Sequence, residues 1–280
     1  MAIETLELPV GADTFVARAA GPETGELVIL LHGFPQTSWS WRHQLEVLGA
    51  AGYRAVAPDQ RGYSPGARPE GVEAYASPSL VNDVLAPADE LGGHTFHLVG
   101  HDWGAAVAWQ VAGRHPSRLR TLTALSVPHP VALMRAMSGE AGCDQKERSS
   151  YFVFFRQDDA PERFLADDAL LLRQLFLGTG LPADHIEPYV EALRQPGAMR
   201  AALNWYRAAS PALVEGLGPV TVPTLFVWST DDPALAREGA EWTADHVEGP
   251  YRFEVFEDVG HWIPEQAPDR LNTLLLEHLA

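Results

Sequence analysis

The chain has 280 residues, 46% hydrophobic and 20% charged, a globular composition with length for one large core and an insertion. Its formal net charge of −17 argues against nucleic acid or an anionic membrane as partner, because both require a basic surface. Cys143 is the only cysteine, which excludes an internal disulfide and argues against a cysteine-held metal.

Met1-Ala2-Ile3-Glu4-Thr5 lacks the basic and apolar regions of a secretory signal, and no apolar run approaches the length of a membrane span. A soluble, cytoplasmic protein is expected. Residues 4–20 read as two short strands with a turn near Gly11. Leu27-Val28-Ile29-Leu30-Leu31 is a continuous apolar run, the pattern of a strand buried on both faces. A helix fits Trp39 to Ala51, then a strand Arg54 to Ala57 ended by Pro58. Ser79 to Leu91 reads as a helix that Pro87 interrupts or delays. Phe96 to Val99 is the next strand, followed by a helix that stops near His115-Pro116, and Leu122 to Val127 is another strand.

The alternation then breaks. From about Pro128 to Pro211 the composition is helical, with aromatic clusters and no obvious strand. Strand-like segments return at Thr224 to Trp228 and Tyr251 to Phe256, and a helix runs from Pro264 onward. This order predicts an α/β fold: a mostly parallel twisted sheet with helices on both faces. Residues 1–128 and 213–280 form its two parts, and residues 129–212 form a helical cap. Ligand sites in such sheets lie at the strand carboxyl ends, where the cap is expected to sit.

Gly100-His101-Asp102-Trp103-Gly104 carries the chemistry. It lies between a strand and a helix, the layout of a nucleophile elbow, whose small flanking residues permit a strained turn that exposes the central side chain. The centre is Asp rather than Ser. A carboxylate that attacks a saturated carbon gives an ester, whereas an ester or amide substrate would give an anhydride. The residue type therefore points to epoxide or carbon–halogen chemistry. An acid, Asp231 or Asp232, follows the strand ending near Trp228, and His261 follows the strand ending at Phe256. Nucleophile, acid, histidine is the chain order of the α/β-hydrolase fold. His261 would activate water against the ester, and the acid would fix its tautomer and stabilise the imidazolium. The backbone N–H groups of Phe34, in His32-Gly33-Phe34-Pro35, and of Trp103 would form an oxyanion hole.

A second segment, Gly62-Tyr63-Ser64-Pro65-Gly66, matches the pattern of serine hydrolases and is rejected. The residue after the nucleophile must donate a backbone N–H, which Pro65 lacks, and a loop rather than a helix follows.

These residues carry a family resemblance over nearly the whole chain. His32 to Pro35, Asp59-Gln60-Arg61-Gly62-Tyr63, the Asp102 elbow, Ser126-Val127-Pro128 and Gly260-His261-Trp262-Ile263-Pro264-Glu265 are similar to the α/β-hydrolase-fold epoxide hydrolases of the Asp-nucleophile type. The resemblance maps the acid to Asp232 rather than Asp231. It implies that Tyr206, in Asn204-Trp205-Tyr206-Arg207, and Tyr151, in Tyr151-Phe152-Val153-Phe154-Phe155, are the two ring-opening phenols. Phe152 stands where the family often has a polar residue, and Thr230 where an acid is frequent. The implied reaction adds water to a small-molecule epoxide to give a vicinal diol, with no metal or organic cofactor, in a monomer or homodimer. Phe34, Trp103, Phe155 and Trp262 are the expected pocket lining, which suggests aryl or alkyl epoxides. A haloalkane dehalogenase on the same scaffold is the alternative. Phe34 cannot supply the second halide donor that one group of those enzymes uses, and Trp103 stands where a fluoroacetate-type enzyme would carry Arg. A non-catalytic ligand receptor is a third reading, disfavoured because no member of the constellation is missing.

Overall fold

The structure is a computed structural model that describes residues 2–210 and 213–280. Eight strands form one sheet in the order β1-β2-β4-β3-β5-β6-β7-β8. They span β1 Glu4–Val10, β2 Asp13–Ala20, β3 Leu27–Leu31, β4 Arg54–Pro58, β5 Phe96–His101, β6 Leu119–Leu125, β7 Thr224–Ser229 and β8 Tyr251–Phe256. β2 pairs antiparallel with β1 and with β4, and every other pairing is parallel. Every residue of β3, β4, β5 and β7 is buried, as parallel strands covered on both faces require.

The two faces divide cleanly along β3. Val28 and Leu30 pack with Leu45 and Leu48 of α1 (Arg42–Ala50) and with Leu271 and Leu275 of α12 (Pro268–Leu279). Ile29 and Leu31 face the opposite layer, with Val84 of α2 (Ser77–Glu90) and Val107 and Ala108 of α3 (Trp103–Arg114). The sequence-level expectation of a mostly parallel sheet sandwiched by helices holds. Its boundaries shift in a few places. Pro87 sits inside α2 without ending it, buried against the core, so tertiary packing offsets the missing N–H. β5 runs on to His101, directly up to the elbow.

Between β6 and β7 the chain is helical: α4 Pro130–Met137, α5 Gln145–Arg148, α6 Phe152–Phe155, α7 Ala160–Gln174, α8 Ala183–Arg194 and α9 Ala198–Ala208. α7 is broken where Asp167, Asp168 and Ala169 take positive φ. The expected cap boundary near residues 211–212 lies outside the described residues. α4 packs back against α10 (Arg237–Trp242), a helix that the sequence reading passed over, with Ala136 of α4 and Ala236 at the head of α10 in one small apolar cluster. α11 (Ile263–Gln266) precedes α12, and the break between them falls at Ala267, just before Pro268. Among the described residues no helix is long and apolar enough to cross a membrane.

Candidate active site

Asp102 occupies the turn between β5 and α3 with φ 53° and ψ −122°, a left-handed backbone that is costly for any side chain except glycine's. The turn is that tight because α3 begins hard against β3. A Cβ on Gly104 would lie 2.1 Å from the carbonyl oxygen of Leu31. The opposing loop comes equally close: a Cβ on Gly33 would lie 2.1 Å from Asp102 Oδ1. Only glycine at both places lets the carboxylate sit between the two loops. There the backbone N–H of Phe34 donates to Asp102 Oδ1 at 2.8 Å, and the nearby backbone N–H of Trp103 helps to favour the charged carboxylate.

His261 lies in the loop after β8, and Asp232 in the loop after β7. Their positions follow from the parallel order of β5, β6, β7 and β8, which brings the carboxyl ends of all four strands to one edge. His261 Nε2 is 3.5 Å from Asp102 Oδ2, and its Nδ1 is 2.8 Å from Asp232 Oδ2. Asp232 is buried, and its Oδ1 accepts from the backbone N–H groups of Ala234 at 2.8 Å and Leu235 at 3.1 Å. The Ser126 hydroxyl donates to Asp232 Oδ2 at 2.9 Å and lies 3.1 Å from His261 Nδ1. Asp231, the competing acid, is exposed, and among the described residues its carboxylate meets only the Thr230 hydroxyl.

The electrostatics follow from this packing. Burial works against charge on His261, but the carboxylates of Asp232 and Asp102 outweigh it and raise its pKa to about 10. Burial likewise opposes charge on Asp102 and on Asp232. On Asp102 the hydrogen bond to His261 does most to overcome it, and on Asp232 the charge of His261 does, so both lie below the usual carboxylate value. His101, packed beside His261, stays neutral because burial, then the positive neighbour, lowers it to about 4. Its Nε2 is 2.8 Å from the carbonyl oxygen of His261.

A cavity of about 710 Å³ opens above this group. Asp102 and His261 lie on its floor, and Tyr151 and Tyr206 reach it from the helical segment. The two phenol rings have centroids 6.2 Å apart, and burial, then the charge of Asp102, pushes both phenols above their ordinary pKa. Both are therefore held protonated. Tyr206 is fixed edge-on by Phe34, Phe155 and Trp103, with centroids at 5.4, 4.9 and 5.1 Å.

Phe34, Phe155 and Trp262 line the cavity as expected, and Trp103 does not. As the first residue of α3, Trp103 turns its backbone toward Asp102. Its indole packs sideways against Phe152, Trp205 and Tyr206. Ser64 of the rejected motif is fully buried and structural: its hydroxyl donates to the Asp59 carbonyl at 2.6 Å and accepts from the Val16 N–H at 2.9 Å. Sequence reasoning missed three contributors. One is the Ser126 contact. Another is Arg148, which lines the cavity and donates to the Asp232 carbonyl at 2.9 Å. The third is Gln266, whose side chain accepts from the Trp262 N–H at 3.0 Å and donates to the Thr179 carbonyl at 2.9 Å, tying the cavity rim to the histidine loop. Ser126-Val127-Pro128 is marked by the resemblance but its contact is not, and no local pattern marks Arg148 or Gln266, since each acts on a partner distant in sequence or through a long side chain.

A half-buried aspartate on a strand–helix elbow, open to the cavity and facing a histidine–aspartate pair, can attack an electrophile and then be freed by water. The sequence from residue 26 to 268 matches the family model described as alpha/beta hydrolase fold. The chain belongs to the α/β-hydrolase fold family. Its relatives include the AB hydrolase superfamily protein YfhM of Bacillus subtilis (strain 168), 36% identical over 272 residues, spanning 95% of this chain and 94% of that one. Epoxide hydrolase A of Mycobacterium tuberculosis is 32% identical over 300 residues, spanning 93% of this chain and 92% of that one. Among solved structures, one of the novel epoxide hydrolases from metagenomes of hot environments superposes with a TM-score of 0.88 at 30% identity, covering 100% of this chain and 99% of that one. This member of the family is thus an α/β hydrolase with epoxide-hydrolase relatives.

Proposed function

We propose that the protein is an epoxide hydrolase that converts an epoxide and water into a vicinal diol through a covalent ester on Asp102. The observation that carries this reading is the pairing of a carboxylate, rather than a hydroxyl, at the elbow with two phenols facing the same cavity. Asp102 Oδ2 attacks one ring carbon, and the carbon–oxygen bond of the epoxide breaks. Tyr151 and Tyr206 hydrogen-bond the developing alkoxide and relay a proton to it. Once Asp102 is a neutral ester, one of the two charges holding the proton on His261 is gone. The imidazole yields that proton, which balances the one the alkoxide gained, and Nε2 becomes a base.

Water then gives a proton to Nε2 while its oxygen adds to the ester carbonyl carbon. The former Oδ1 becomes the oxyanion, already in reach of the Phe34 and Trp103 N–H groups. Collapse breaks the bond between that carbon and Oδ2, which is now attached to the substrate carbon. Oδ2 takes the proton of the new carboxyl group and leaves as the second hydroxyl of the diol, while the oxygen from water stays in the Asp102 carboxylate. Asp232 keeps His261 in the tautomer that presents Nε2. Residues 129–212 act as a cap that delivers the phenols, with α4 as its stem. The aromatic lining suits aryl or alkyl epoxides.

The test is intact mass spectrometry of a His261→Gln variant mixed separately with an aryl epoxide and a haloalkane. An adduct of full epoxide mass on the Asp102 peptide is expected. An adduct from the haloalkane alone would move the assignment to a dehalogenase, and diol formation by Asp102→Ala would refute the covalent route.

A further inference from the structure

Ser126 stands directly after β6 and carries two features that a filler residue does not need. Its φ is 70°, the left-handed region that a serine rarely adopts, and its side chain is fully buried. The backbone is held there by the Ser126 N–H, which donates to the Val227 carbonyl at 2.8 Å across to β7. This posture aims the hydroxyl between Asp232 and His261, at 2.9 Å from Oδ2 and 3.1 Å from Nδ1. Asp232 Oδ1 is anchored by two backbone N–H groups, but Oδ2 has only Ser126 and His261.

We propose that Ser126 is a positioning residue for the second half of the reaction, holding Asp232 Oδ2 against His261 so that Nε2 is presented to water. This rests on the reading of Asp102, His261 and Asp232 given above. The first half does not need Ser126, because Asp102 is held by the elbow and the Phe34 N–H. Without the hydroxyl, Oδ2 keeps one donor. The carboxylate can swing, and its charge concentrates on the imidazolium. The first presents Nε2 less well to water and slows its attack, and the second keeps His261 protonated to higher pH, so the acid limb of ester breakdown should move upward. Other groups also face this pair: Asp102 and His101 from the end of β5, Arg148 from α5, the phenols Tyr151 and Tyr206, and Asp231 and Asp258 at the rim of the cavity. A Ser126 substitution changes none of them.

The experiment follows adduct formation and decay by rapid quench and intact mass, using the full chain, an aryl epoxide, and the variants Ser126→Ala and Ser126→Gly. Glycine accepts the backbone conformation, so it separates the hydroxyl from the strain. Formation is expected to stay within about twofold of wild type, since no bond to Asp102 is lost. Decay should slow roughly tenfold in both variants, the scale of one hydrogen bond to a charged group. The adduct should accumulate, and the acid limb of the decay rate should lie at higher pH. Equal losses in both halves, unchanged decay, or wild-type decay in Ser126→Gly would each overturn the proposal. If His261→Gln also forms no adduct, the underlying reading falls and the proposal with it. An adduct there, with unchanged decay in the Ser126 variants, would sink the proposal alone.

Discussion

Replacing Asp102 by Asn should lower the pKa of His261 substantially. His261 Nε2 lies 3.5 Å from Asp102 and Nδ1 2.8 Å from Asp232, and together the two carboxylates raise the imidazole to about 10 against the effect of burial. Two unit charges about 4 Å apart attract by about 4 kcal/mol at an effective dielectric of ~20. About 1.4 kcal/mol corresponds to one pKa unit, so loss of the Asp102 charge can bring His261 down by up to ~3 units, toward an ordinary histidine. Asn keeps the shape and the carbonyl oxygen facing Phe34, so the comparison isolates the charge. The assay is an NMR titration of the His261 ring in wild type and variant, with His261→Gln used to assign its signal among the 11 histidines. The amide mimics the neutral ester, so this difference is the one that turns His261 from a charged partner into a base. A fall of less than about one unit would refute the reasoning, because Asp102 would not control the proton that must leave before water can be activated.

Three further outcomes are expected. Tyr151→Phe and Tyr206→Phe should each slow adduct formation about 100-fold in single-turnover kinetics, while leaving decay of the preformed ester nearly unchanged. The pKa of His261 is raised in the fold, so its contribution to stability is complete below its ordinary value of 6.5 and is lost as pH rises through about 10. The melting-temperature advantage of wild type over His261→Gln should therefore shrink across that interval. Glu265 is buried and accepts from Arg42 at 2.7 Å and Gln36 at 2.5 Å. Glu265→Ala leaves the Arg42 guanidinium buried without its carboxylate and should cost about 3–5 kcal/mol in chemical denaturation.

The Arg42–Glu265 pair also marks a boundary of what was legible. Arg42 begins α1, Glu265 lies in α11, and the second guanidinium nitrogen of Arg42 reaches His185 Nδ1 of α8 at 2.8 Å. Nothing in the three local sequences announces that they meet. The strands, by contrast, are plain in the sequence. A run such as Leu27 to Leu31 can be buried on both faces only as an inner strand, and the elbow declares itself by a carboxylate between small residues at a strand–helix junction. α10 was missed because its six residues are too short to show a period. Pro87 misled because its cost is local while the burial that offsets it is not.

The sequence by itself determined the order of strands and helices, the elbow and the chain order Asp102, Asp232, His261. Each of these depends on neighbours a few residues apart, through burial pattern and backbone freedom. Only the tertiary structure decided how Asp232 is held against His261, by the N–H groups of Ala234 and Leu235 and by the Ser126 hydroxyl. It also decided that the Trp103 ring packs against Tyr206 rather than lining the cavity, and that Ser126 lies between acid and base. Those outcomes depend on a shift of one residue in a loop or a single side-chain rotation. Such choices are settled by which surfaces are already filled when strands far apart in the chain come to one edge of the sheet.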